Sequence, residues 1–224
     1  MLFGFADFAN TRIAAALTVF GLPSEIFWLY FSASLLLLIG LVKVLKYELP
    51  QTHGLDNIMP FGRLFFAIPL AVFGTEHFTN AADIANIVPR WLPAHAFWVY
   101  LVGVALMAAA LSITLQIQSP LAATLLGAMF VSFVLLIHIP GIIAQPGNRF
   151  FWALGLRDLA FSGGALAYAG SHGSAGRALR VPWLITVGRL FVAVTSLFYA
   201  VQHFRHWHQP RHADDLRLRH AGAA

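Results

Sequence analysis

The chain has 224 residues, 59% of them hydrophobic and 10% charged, with a mean hydropathy of +0.74; soluble domains carry about 25% charged residues, so this composition is that of a polytopic membrane protein. The net charge of +5 is ordinary for such a protein, whose Lys and Arg set topology and meet anionic lipid, and it implies a bilayer partner and no nucleic acid. The absence of cysteine excludes thiol redox chemistry, thiolate metal ligation and disulfides.

The first ten residues contain Asp7 and no basic side chain, so they lack the charged start of a cleavable signal and insertion rests on the spans. Residues 11–22 are apolar but too short to span, and read as an interfacial segment. The first span is expected over 26–45, with Ser24 as N-cap, Trp28 and Tyr30 in the aromatic belt and Lys43 and Lys46 snorkelling at its far end. A polar connector, 48–60, leads to a second span over 61–78, in whose middle Pro69 removes a backbone hydrogen bond and is expected to kink the helix. Residues 79–96 read as an ordered interfacial loop stiffened by Pro89 and Pro93 and anchored by Trp91.

The third span is expected over 97–116, with Ala105 and Ala109 one turn apart for close helix approach. A tight turn at 118–120 leads to the fourth, 121–139, which ends at His138. The fifth, 150–170, carries Arg157 and Asp158 about two turns in, and has small-residue seams at Ala160 and Gly164 and at Gly163 and Ala167. After a short loop over 171–180, the sixth span covers 182–204. The fold class is therefore all-α, a polytopic membrane bundle of about six transmembrane helices.

One segment occurs twice. Gly62, Arg63, Leu64, Phe65, Ala67, His77 and Phe78 recur as Gly188, Arg189, Leu190, Phe191, Ala193, His203 and Phe204, so 7 of 17 positions match at an offset of 126 residues. Such self-similarity sets the organisation: residues 1–59 form an N-terminal segment and first span, 60–171 a four-helix unit, 181–204 the first helix of a second repeat, and 205–224 a polar, basic, disordered tail. That tail holds four arginines and four histidines and no apolar period. It reads as a broken second repeat, with a genuine metal- or headgroup-binding tail as the alternative. The helix left without successors is expected to pack back on the others or to form a homodimer. Lys43, Lys46, Arg63, Arg177 and Arg180 fall on one membrane face against Arg12, Arg90 and Arg149 on the other, which puts the 79–96 loop outward before the tail's arginines reverse the count.

The alternation of spans places Glu76, His77, His138 and His203 at span ends on a single face, with Arg157 and Asp158 descending from it. An ionisable group inside a span costs about 2.5 to 3.5 kcal/mol on insertion scales, so such groups are usually paired and often functional. The six residues form a candidate polar site. Each also has a plain structural reading: the histidines as interfacial residues with one wet nitrogen, Arg157 and Asp158 as an ion-pair network, and Arg63 and Arg189 as snorkelling anchors. Adjacent residues on a helix point about 100° apart, so Arg157 and Asp158 are expected to pair with different helices. Histidines at helix ends without an HExxH spacing give no metal site.

The segment Phe73-Gly74-Thr75-Glu76-His77-Phe78, the loop Ile87-Val88-Pro89-Arg90-Trp91-Leu92-Pro93, the run Leu101-Val102-Gly103-Val104-Ala105-Leu106 and the helix Phe151-Trp152-Ala153-Leu154-Gly155-Leu156-Arg157-Asp158 together resemble the DoxX-like family of small bacterial integral membrane proteins. The resemblance covers about residues 60–204 and implies a four-helix membrane unit in a bacterial cytoplasmic membrane. It does not fix an activity, although some members are similar to subunits of quinone-linked oxidoreductases such as the thiosulfate:quinone enzyme. Three functions remain open: an accessory subunit of a membrane redox or respiratory complex, with protein partners; a quinone-site or proton-transferring enzyme using Glu76, His77, His138 and Asp158; and a transporter of a small solute. No cofactor motif selects among them.

Overall fold

A helix closes its backbone hydrogen bonds within itself, which is one of two ways a segment can cross lipid. The computed structural model describes residues 23–172 and 181–207, and these are helical with no strand among them. In chain order the helices are α1 (Ser24–Lys43), α2 (Met59–Thr79), α3 (Ala81–Ala85), α4 (His95–Leu115), α5 (Ser119–Phe133), α6 (Ile139–Ala144), α7 (Arg149–Ser171) and α8 (Pro182–Trp207). A π turn, Val44–Glu48, extends α1, and a second, Val134–His138, joins α5 to α6. The interfacial segment expected over 11–22, most of the loop before the sixth span and the tail from residue 208 lie outside the described residues.

Five helical stretches are long and apolar enough to cross a membrane: Ser24–Gln51, Asp56–Thr79, His95–Leu115, Ser119–Ala144 and Pro182–Phe204. The protein is a helical membrane bundle. The remaining expected span, α7, is 23 residues long but diluted by Arg149, Arg157, Asp158 and its glycines. It packs against α5 on one side and α8 on the other, while α1 packs on α2 and α4.

Helix starts follow the prolines. Pro60, Pro120 and Pro140 sit at the first positions of α2, α5 and α6, where a missing N–H costs nothing. Ser24 is not the N-cap of α1. Pro23 is, with its carbonyl accepting from the Phe27 amide at 3.0 Å, because its fixed φ already suits a helix entry. Asn148 caps α7 by accepting from the Phe150 amide at 3.0 Å, a cap the sequence reading did not single out. The helix α2 runs unbroken through Pro69. The 79–96 loop is ordered as expected, holding α3 and a Trp98 indole N–H donated to the Pro93 carbonyl at 2.9 Å.

The core is built largely of alanine. Ala67, Ala71, Ala110, Ala123 and Ala165 are fully buried among Leu70, Leu106 and Ile113. Lipid is as apolar as leucine, so close backbone approach and dispersion do the work that the hydrophobic effect does in water. The nearest approaches occur at glycines. A Cβ on Gly74 would lie 3.1 Å from the Gly103 carbonyl and one on Gly103 would lie 3.2 Å from that of Gly74, so this pair sets the crossing of α2 and α4. Ala109 is buried and Ala105 half-buried, and both border an open cleft of about 400 Å³ between α4 and α5, so that expected seam is only partly filled. The Gly163 and Ala167 seam meets α8 at Gly188. Phe66, Phe73 and Phe130 pack their rings on Phe161 of α7 at 5.4 to 6.0 Å.

Candidate polar site between the fourth and fifth long helices

The expected exit at His138 is not an exit. The chain stays helical to Ala144, and the π turn ending at His138 adds a residue to the helical repeat, which re-aims the following side chain. His138 therefore points into the bundle and is 4% exposed. Gly155 makes room for it on α7, since a Cβ there would stand 3.0 Å from the His138 Cβ. One turn further along α7 is Asp158, 3% exposed, and its Oδ2 lies 2.8 Å from His138 Nε2.

Arg157 completes the group in a way the sequence reading did not anticipate. Its Nε and Nη2 both lie 3.0 Å from Asp158 Oδ1, so the two neighbours share one carboxylate instead of pairing with different helices. Two flexible side chains bridge the 100° between their Cα–Cβ directions. The guanidinium also lies over the Phe73 ring of α2, with Cζ 4.9 Å from its centroid, so three helices meet at the group. His138 Nδ1 is buried and has no hydrogen-bond partner among the described residues. An imidazole with its proton on Nε2 donates to Asp158 and leaves only an acceptor unsatisfied, which is the better arrangement for an orphan position.

His77 lies on α2 within electrostatic reach of Arg157 and Asp158. Its Nδ1–H donates to the Phe73 carbonyl at 2.7 Å, which leaves Nε2 as its open nitrogen. Glu76 is half-buried beside it. His203 is exposed on α8, its ring edge-on to Phe204. Of the six sequence candidates, His138, Arg157 and Asp158 are thus in direct contact, and His77 adjoins them. Two further hydrogen bonds tie α8 to the same stretch of α7: Thr195 Oγ1 to the Leu156 carbonyl at 3.2 Å and Tyr199 OH to the Ala153 carbonyl at 2.9 Å.

A second polar group stands at the opposite ends of the helices. Lys43 is no snorkelling anchor: it donates to the Leu115 carbonyl at 2.6 Å and to Gln116 Oε1 at 2.9 Å, and lies 3.7 Å from Glu48. Arg63 is not an anchor either. It is 8% exposed, its Nη2 lies 2.5 Å from Glu48 Oε1, and its Nε has no partner among the described residues. Glu48 was missed as a member because the connector after the first span reads as solvated; the π turn and 3-10 turns that follow α1 carry it back over α2. A cleft of about 530 Å³ opens here, lined by Glu48, Asp56, Arg63, Gln116 and His172. Lys46 remains outside, near the Tyr47 ring. Among the described residues no group of three or more His, Asp or Glu is arranged to hold a metal ion.

A family model described as "Domain of unknown function (DUF8561)" matches residues 66–145. That stretch runs from the first turns of α2 past the end of α6, and includes Glu76, His77 and His138 but not Arg157 or Asp158. No curated protein and no solved structure matches the chain.

Proposed function

We propose that the protein is an accessory subunit of a membrane redox or respiratory system, seated in a bacterial cytoplasmic membrane, and that the His138, Asp158 and Arg157 group is its proton-handling element. The observation that carries the reading is the 2.8 Å contact between His138 and Asp158, both more than nine-tenths buried in a bundle of apolar helices. Ionisable groups in spans are retained where they do something that an apolar pair cannot. With Asp158 balanced by Arg157, the group is neutral and can accept one proton at the bare Nδ1 of His138, the resulting imidazolium being held by the Asp158 carboxylate. His77, with Nε2 open, and Glu76 extend the set of proton-carrying side chains toward the surface of α2. The DoxX-like resemblance belongs to the same proposal, with α2, α4, α5 and α7 as the four-helix unit and quinone-linked oxidoreductases as the class of system served.

The test is purification of the tagged protein in mild detergent from its own membranes, followed by identification of what accompanies it and assay of quinol-dependent turnover. Redox subunits should co-purify with the wild type and with Asp158→Asn alike. Turnover of the Asp158→Asn complex should fall at least about a hundredfold, the lower end of the range of about 10² to 10⁴ that positioned acid–base groups contribute. Full turnover in that variant, or a purified protein without redox partners that moves a solute into proteoliposomes, overturns the reading.

A further inference from the structure

The repeated segment occupies two different environments. In α2 the face made by Arg63, Leu64, Ala67, Leu70, Ala71 and Gly74 is buried. Displaced by the offset of 126, the same face in α8 is Arg189, Leu190, Ala193, Ser196, Leu197 and Ala200, and all six are exposed, Leu190 at 58% and Leu197 at 67%. The helix α8 meets α7 by a different side, through Leu184, Gly188 and Thr195, whose counterparts at the offset of 126, Ile58 just before α2 and Gly62 and Pro69 on it, are exposed or half-exposed. The two copies therefore bury opposite sides of one pattern.

What covers the face in α2 is known in detail. Glu48 takes the arginine, and Gly40 of α1 is where Leu64 packs: a Cβ on that glycine would lie 3.3 Å from Leu64 Cδ1 and closer still to Cδ2. Gly103 and Met107 of α4 close on Gly74. On α8 the exposed small side chains of Ala193, Ser196 and Ala200 lie on the same face as Arg189, a composition that suits a close helix contact better than lipid chains. A symmetric pairing of two α8 helices does not complete this face, because α8 holds no acidic residue and a two-fold pairing would bring two Arg189 side chains to one depth.

We propose that the Arg189 face of α8 docks a transmembrane helix of another protein, one that presents a carboxylate to Arg189 and a glycine or alanine surface opposite Leu190. The inference extends the subunit reading, and the two fail separately, since one turns on Asp158 and the other on α8. The experiment places photoreactive benzoylphenylalanine at Leu197, with Leu38 on the exposed side of α1 as control, and irradiates the native membranes. The expected result is one protein adduct specific to position 197, whose linked peptide is an apolar helix bearing Asp or Glu about two turns from the linked residue, toward the Arg189 end. Adduct yield should fall at least fivefold with Arg189→Glu or Arg189→Gln and persist with Arg189→Lys, each variant keeping the wild-type melting temperature in detergent. Adducts to lipid alone, to a second copy, to residues 1–22 or 208–224 of this chain, or a yield indifferent to both Arg189→Glu and Arg189→Gln overturn it.

Discussion

Lys43, in the last turn of α1, donates to the carbonyl of Leu115, 72 residues away at the C-terminus of α4, across 2.6 Å. The α4–α5 turn beyond it needs the help. Gln116 and Gln118 both adopt left-handed backbone, φ 58° and 52°, which residues with a Cβ take at some cost. The ammonium satisfies an orphan carbonyl and sits at the negative end of the helix dipole. Lys43→Met should lower stability by about 1 to 3 kcal/mol, read as melting temperature in detergent, and Lys43→Arg should recover part of it.

Arg63 and Arg189 align at the offset of 126 residues and sit in different surroundings. Removing Arg63 leaves Glu48 with Lys43 alone, 3.7 Å away, in a partly buried position. Arg63→Ala should destabilise the bundle by about 3 kcal/mol, as expected when one partner of a buried ion pair is lost. In the purified protein Arg189→Ala should leave the melting temperature where it is. Equal effects would show that the arginines are both anchors or both structural.

These two arginines also mark how far the sequence could be read. The order of the long helices was legible because runs of about twenty apolar residues admit few alternatives, although only five of the six expected spans are long and apolar enough to cross a membrane. The alternation of spans puts His138, Arg157 and Asp158 in one candidate group, and these three side chains are in contact. The facing of individual side chains was not legible, because it depends on a phase that the π turn at Val134–His138 resets by one residue and that no hydrophobic period reports in a helix apolar on every side. Lys43 reads as snorkelling and Glu48 as part of a polar connector because nothing in the sequence shows the π turn and 3-10 turns after α1 that bring Glu48 to Lys43 and Arg63. Arg63 and Arg189 could not be separated, since identical letters carry no record of which neighbour covers them.

The contact between His138 and Asp158 should appear as a coupling energy. His138→Phe removes the donor and leaves Asp158 with Arg157, whereas Asp158→Ala strands a buried imidazole and the Arg157 guanidinium together, so the second should cost more. The double variant should be more stable than the sum of the two by about 1 to 3 kcal/mol, the usual range for residues in one buried network. Additive losses would mean that the pair is adjacent without interacting. The set Asp158→Ala, Asp158→Asn and wild type further separates fold from chemistry, because the amide of Asp158→Asn can still accept from Arg157 or from His138 while carrying no charge.

Gly62 and Gly188 align at the offset of 126 residues and should respond oppositely to one methyl group. A Cβ on Gly62 meets nothing within 4 Å, and alanine is the better helix former, so Gly62→Ala should be neutral or stabilising by up to about 1 kcal/mol. At Gly188 the methyl would run into the Gly163 carbonyl and stand 2.7 Å from the Ala167 amide nitrogen. Both obstacles are backbone of α7, which cannot rotate away as a side chain tip can, so α8 must move outward and stretch the hydrogen bonds from Thr195 and Tyr199. Gly188→Ala should therefore cost about 1 to 3 kcal/mol, the range for overpacking, with faster amide hydrogen exchange confined to α8. If Gly188→Ala melts with the wild type, the close crossing of α7 and α8 at Gly163 and Gly188 is not how these helices pack.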